Sequence, residues 1–178
     1  MTTVIGSPAG PMGRRRLRHV GRWQIDQACP ADRDGLHALL ATCSQSTIRW
    51  RFFAPLRGFP ERYLDSALAG RPEVHDAVVA RDVERGQLAG LASLAAGSAA
   101  GPEIPELGVL VADRWQQHGL GAAMVECLLT RARNRGVQRI LAVTLPQRAG
   151  MLRVLARHLP METSTCTPDG VSAVFRLT

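Results

Sequence analysis

The chain has 178 residues, 46% of them hydrophobic, which is enough for one domain with a substantial core. Its 22 basic residues are all arginine and face 15 acids, for a formal charge of +7; there is no lysine. No run of about 18 apolar residues occurs to span a membrane. The scattered Cys29, Cys43, Cys127 and Cys166 form no CxxC pair, which argues against a zinc ribbon or disulfide scaffold and fits a reducing, cytoplasmic setting.

The charge is concentrated at the start. Residues 1–22 hold Arg14, Arg15, Arg16, Arg18 and Arg22 and no acid, whereas the rest sets 17 arginines against 15 acids, a balance of +2. Residues 1–13 are rich in Gly, Pro and Ser and lack periodicity, so 1–21 read as a flexible basic arm before a single domain over 22–178. The RRRLR run admits three readings: a solvated arm, an electrostatic patch for an acidic partner or nucleic acid, and a targeting signal. No apolar segment follows it, which disfavours the last. The near-neutral domain disfavours nucleic acid.

Trp23–Ala28 alternates like a short strand, and Pro30-Ala31-Asp32 opens a helix with Leu36, Leu39 and Leu40 at helical spacing. Ser44–Thr47 reads as a turn and cap before the aromatic-basic stretch Ile48–Phe53. Pro60-Glu61 starts a helix that ends at Gly70. His75–Arg81 and Gln87–Ala95 read as a hairpin, followed by a Gly/Ala/Pro loop over 96–105. Glu106–Ala112 is the most strand-like stretch. Helix 119–135 carries Leu120, Ala123, Met124, Cys127 and Leu128 on one stripe, which marks Cys127 as core, and Gly136 closes it. Arg131, Arg133 and Arg135 read as its solvated face. A strand over 139–145, a short helix over 151–159 and a hairpin around Pro168-Asp169-Gly170 complete an α/β pattern with one mixed sheet.

The chemistry concentrates in Gln116-Gln117-His118-Gly119-Leu120-Gly121-Ala122, between a predicted strand and a predicted helix. Two glycines at i and i+2 let backbone approach a ligand, and the helix aims unpaired N–H groups and its positive dipole end at the loop. That suits a pyrophosphate. A dinucleotide-binding GxGxxG fails at Met124, and a phosphate-binding GK[ST] is excluded by the absence of lysine.

Q-x-x-G-x-G/A in this setting resembles the GNAT acetyltransferase family, over roughly residues 22–178. Arg51-Phe52-Phe53, Glu106–Val111, the Gln116 loop, and Leu145-Pro146 followed by Met151-Leu152 give a closer likeness to bacterial protein lysine acetyltransferases of the Pat type. The resemblance implies a mixed, mostly antiparallel sheet flanked by helices, with splayed central strands. It implies acetyl-CoA or another acyl-CoA as co-substrate, no metal, an amine or protein lysine as acceptor, and a monomer or homodimer. The pyrophosphate would meet backbone N–H groups of Gln117, His118, Gly119, Leu120, Gly121 and Ala122, next to Gln116. The pantetheine would follow Val109 and Val111, with a backbone N–H near Leu110 or Val111 polarising the thioester carbonyl. Gln147 and Arg148 stand where the family usually has a cofactor-contacting asparagine, and Arg114 is a further candidate for the CoA phosphates.

Glu106 matches the glutamate used as general base, with Glu103 a fallback. The helix over 151–159 lacks the tyrosine that often serves as acid; Tyr63 reads as packing, and His158 and water are the substitutes. These departures leave an alternative: a domain that binds acyl-CoA and catalyses weakly or not at all. As a lysine acetyltransferase, the chain would have no lysine of its own to modify.

Overall fold

The structure is a computed structural model that describes residues 16–148 and 150–177, Arg148 by its backbone alone. Its eight strands are β1 (Arg16–Val20), β2 (Trp23–Gln27), β3 (His75–Asp82), β4 (Leu88–Ala95), β5 (Glu106–Val111), β6 (Arg139–Thr144), β7 (Met161–Thr167) and β8 (Gly170–Arg176). Five α-helices accompany them: α1 (Arg33–Ala41), α2 (Gln45–Phe52), α3 (Glu61–Leu68), α4 (Leu120–Asn134) and α5 (Gly150–His158).

One sheet runs β1-β2-β3-β4-β5-β6-β8-β7. Every neighbouring pair is antiparallel except β5–β6, which is parallel. On its other edge, β5 pairs with β4 along its length, from Glu106↔Ala95 to Val111↔Gly90. With β6 it registers only at Glu106↔Leu141 and Leu107↔Ala142. Beyond Leu107 the two strands part, which is the expected splay.

The sheet carries a hydrophobic cluster on each face. In β3, Val78 and Ala80 join the cluster of α4 and α5, while Ala77 and Val79 join that of α1–α3. This is the alternation that a strand buried on both faces requires. Met124 and Leu128 of α4 are fully buried, each worth about 1.5–3 kcal/mol relative to exposure. Gly90 admits α4 to the sheet, since a Cβ there would lie 2.6 Å from Met124 Cε. No helix among the described residues is long and apolar enough to cross a membrane.

Two expectations need correction. Residues 16–20 are not arm but strand β1, paired with β2. The Arg-rich stretch hides two apolar residues, Leu17 at a β-bulge and Val20, that pack against the core. Residues 1–15 of that arm lie outside the described residues. The arginines late in α4 are not simply solvated either. Arg131 donates to buried Asp76 through Nε (3.0 Å) and Nη2 (2.8 Å), and Arg135 donates to the other carboxylate oxygen. Arg133 Nε donates to Leu177 O at 2.6 Å. A buried carboxylate demands such partners.

Candidate active site

From Val111 the chain makes a 3-10 turn (Asp113–Trp115) and reaches α4 through a loop with two left-handed residues, Gln117 (φ 63) and Gly119 (φ 81). Gly119 is the N-cap of α4, and no side chain caps the helix. The first-turn N–H groups are therefore open to an anion. Gly121 acts differently from Gly119. It lies within the helix, where a Cβ would come to 3.7 Å from both Val109 Cγ1 and Val111 Cγ2. Its smallness keeps a passage open beside the strand.

The loop is tied to α2 by side chains far apart in sequence. Gln116 Nε2 donates to Thr47 Oγ1 (2.9 Å) and to Val111 O (3.1 Å). Asp113 accepts from the Ser44 N–H (2.8 Å), the Ser44 hydroxyl (2.7 Å) and the Thr47 hydroxyl (3.0 Å). Burial pushes the Asp113 carboxyl up, but these bonds outweigh it and hold the group below the ordinary carboxylate range. Burial, aided by Asp113, pushes the neighbouring Cys43 thiol up to about 11, so it is not a nucleophile at neutral pH.

A cavity of about 370 Å³ opens where β5 and β6 part. Gln116, Gln117, Gly119, Gly121 and Ala122 form one wall, and Val109 and Val111 another. Glu106 and Gly108 line it from β5, and Thr47, Trp50, Arg51 and Phe53 from α2. Strand alternation explains the division: Val109 and Val111 pack toward α4, whereas Leu110 packs into the α1–α3 cluster. Within this wall, the buried Trp115 indole N–H and Thr144 hydroxyl have no hydrogen-bond partner among the described residues.

The expected site residues thus divide. Glu106, Val109, Val111, Gln116, Gln117, Gly119, Gly121 and Ala122 meet around the cavity. Leu110 and Leu120 are 1% exposed and offer backbone only. His118 holds its Nδ1 2.6 Å from Gln116 O and does not line the cavity. Gln147 is exposed and does not line it either, and the Arg148 side chain lies outside the described residues. Arg114 donates to Gln87 Oε1 at 3.1 Å. Glu103 lines a separate pocket with Pro105 and Arg135, and His158 a groove between α4 and α5.

The Arg51-Phe52-Phe53 run separates into three roles that sequence reasoning did not resolve. Arg51 Nη2 donates to the Tyr63 hydroxyl (3.0 Å) and lies 3.4 Å from Ser93 Oγ. Phe52 packs edge-on against Phe59 and Tyr63. Phe53 closes α2 at φ 58, is 41% exposed, and stands at the cavity wall. A left-handed phenylalanine is uncommon and is a mark of a constrained position. Trp115 and Thr144 also line the cavity without any sequence signal, since contacts between distant elements leave no local pattern; Met151, from a stretch that carries the family likeness, lines it too.

The molecule resembles the GNAT domain of S. lividans PAT, with a TM-score of 0.77 and 20% identity over 94% of this chain and 99% of that one. It also resembles the ribosomal-protein-S5-alanine acetyltransferase from Vibrio fischeri (TM-score 0.69, 14% identity, 89% and 94% covered). A third likeness is to yncA from Salmonella typhimurium, solved with its cofactor acetyl-CoA (0.65, 16%, 88% and 92%). No curated protein matches the chain in sequence. Residues 41–159, which contain the Gln116 loop, Glu106 and the Arg51-Phe52-Phe53 run, match the Acetyltransferase (GNAT) family. The chain belongs to the GNAT acetyltransferase family.

Proposed function

We propose that this chain is an acyl-CoA-dependent N-acyltransferase that moves an acetyl group from acetyl-CoA to an amine, a small molecule or a protein lysine, by direct attack. The observation that carries the reading is that Glu106 and the uncapped N-terminus of α4 line one cavity at the splay of β5 and β6. The pyrophosphate rests on N–H groups from Gln117 to Ala122. The pantetheine arm runs along Val109 and Val111 past Gly121, and a backbone N–H at Leu110 or Val111 stabilises the oxyanion. The yncA structure with acetyl-CoA supports the choice of co-substrate.

An amine at neutral pH is mostly ammonium and cannot attack. Glu106 takes one proton, directly or through water. The freed nitrogen forms a bond to the thioester carbonyl carbon, and the C–S bond breaks. Of the two protons that nitrogen loses in all, one ends on the CoA sulfur and the other passes from Glu106 to solvent. Tyr63 is committed to Arg51 and Ser93, so water carries the nitrogen's second proton to the thiolate.

The test pairs calorimetry with turnover. Acetyl-CoA should bind the purified protein, and CoA and acetylated amine should form together in mass spectra across an amine and peptide panel. Glu106→Gln should lower kcat by about 10²–10⁴-fold, the usual span for a general base, with acetyl-CoA affinity unchanged. Tight binding with no turnover across the panel would instead identify a non-catalytic acyl-CoA-binding domain.

A further inference from the structure

A second cavity, of about 560 Å³, adjoins the first, and Glu106, Phe53 and Val143 line both. Its far wall is the β7–β8 hairpin. Alternation along β7 turns Thr163, Thr165 and Thr167 toward it, and Ser172 adds a fourth hydroxyl from β8. Asp169, in the hairpin turn, stands at its rim.

The electrostatic character is opposite to that of the chain. The protein carries 22 arginines and a charge of +7, yet among the described residues no arginine and no histidine lines this cavity. Its two ionisable groups are the carboxylates Glu106 and Asp169, and neither forms an ion pair within the described residues. A wall of neutral hydroxyls between two unpaired carboxylates attracts cations and repels anions. One carboxylate is already engaged by the reacting nitrogen, which leaves Asp169 without a partner.

We infer that the acceptor is an amine whose molecule bears a second cationic centre, the reacting nitrogen at Glu106 and the second cation at Asp169. The inference rests on the transfer reaction proposed above and narrows its acceptor. The second cation keeps its protons throughout, so the transfer step is unaltered. Such a molecule is a diamine, or a lysine flanked by arginine in a polypeptide; an amino acid with a free carboxylate is disfavoured.

The full chain with saturating acetyl-CoA is assayed on three acceptors of equal length: 1,5-diaminopentane, pentylamine and 5-aminopentanoate. Two lysine peptides, flanked by arginine or by glutamate, are run beside them. The expected kcat/KM for the diamine exceeds that for pentylamine by about tenfold and that for 5-aminopentanoate by more. Asp169→Asn, a substitution that a turn accepts, should bring the diamine-to-monoamine ratio close to one. If only the peptides discriminate, and lose their preference in Asp169→Asn, the second cation belongs to a polypeptide. Equal rates in both series, or ratios unmoved by Asp169→Asn, overturn the inference while leaving acetyl transfer intact. Should nothing turn over, calorimetry of 1,5-diaminopentane against the CoA-loaded protein decides. Binding weakened by Asp169→Asn keeps the cation site and removes the transfer reaction, whereas no binding removes both.

Discussion

The guanidinium of Arg51 occupies the space that a side chain on Gly108 would need. Ser93 stands directly across the ladder from Gly108, so Arg51 reaches over β5 to meet both Ser93 on β4 and Tyr63 on α3. One residue thus fastens α2 and α3 to the strand that bears Glu106. Gly108→Ala should force Arg51 out of this seat, at a cost of about 1–3 kcal/mol, as for other overpacked sites. Urea denaturation measures it. In an Arg51→Ala background the same substitution should cost little, giving a coupling of about 1–2 kcal/mol in a double-mutant cycle. Additive effects would show that the two residues do not share the space.

The two glycines of the loop should respond with opposite signs. Gly119 holds φ 81, so Gly119→Ala should destabilise by about 1–2 kcal/mol. Gly121 is helical, and a methyl there meets Val109 and Val111 only at ordinary contact distance. Gly121→Ala should therefore stabilise by up to about 1 kcal/mol through helix propensity. It narrows the passage along the strand, and acetyl-CoA affinity should fall. Thermal melts and calorimetry on the two variants separate the effects. A stability loss in both would sink the assignment of Gly121 to the passage.

These glycines mark where sequence reasoning reached and where it stopped. The motif gave the loop, the following helix and the stripe Leu120-Ala123-Met124-Cys127-Leu128, because those signals are local and periodic. It gave both glycines the same part, close approach of backbone to a ligand, whereas Gly119 supplies a left-handed turn and Gly121 clears space beside Val109 and Val111. Glu106 was legible from its place at the start of a strand. Trp115 and Thr144 were not, since their place in the site depends on the turn before α4 and the end of β6 converging. The role of Arg131 and Arg135 was hidden similarly. Their partner Asp76 lies 55 or more residues earlier, on β3, and no local spacing links it to α4.

Asp113 links the loop before α4 to α2 through three hydrogen bonds, two from Ser44 and one from Thr47. Asp113→Ala strands those donors and should cost about 1–3 kcal/mol. Because the folded carboxyl lies below its ordinary value, its contribution is present above the unfolded pKa and is lost as pH falls through the folded one. The deficit of Asp113→Ala relative to the parent should therefore shrink in strong acid and persist at pH 7. Denaturation midpoints at both pH values check it.

His75 carries a linkage of the same sign at higher pH. The ring is 4% exposed, and its Nδ1 lies 3.2 Å from Ser66 Oγ. It meets Tyr63 edge-on at 5.1 Å, and its Nε2 has no hydrogen-bond partner among the described residues. Burial first, then the Arg51 charge, lowers its pKa to about 4, against the weaker opposing pull of Asp76. The folded state thus holds the neutral ring, while the unfolded chain takes a proton near pH 6.5. Between those values the unfolded state binds more protons, so stability falls as pH drops from about 6.5 to about 4 and loses nothing further from this residue below that. The full change is about 3 kcal/mol, at no more than about 1.4 kcal/mol per pH unit. His75→Gln removes the titration, so its urea midpoint should decline less over that window than the parent's. Because Arg51 contributes to the depression, Arg51→Met should raise the folded pKa of His75 toward its unfolded value, so that the fall in stability is smaller and ends at a higher pH. Parallel pH profiles for the parent and His75→Gln would show that the buried ring does not govern acid stability.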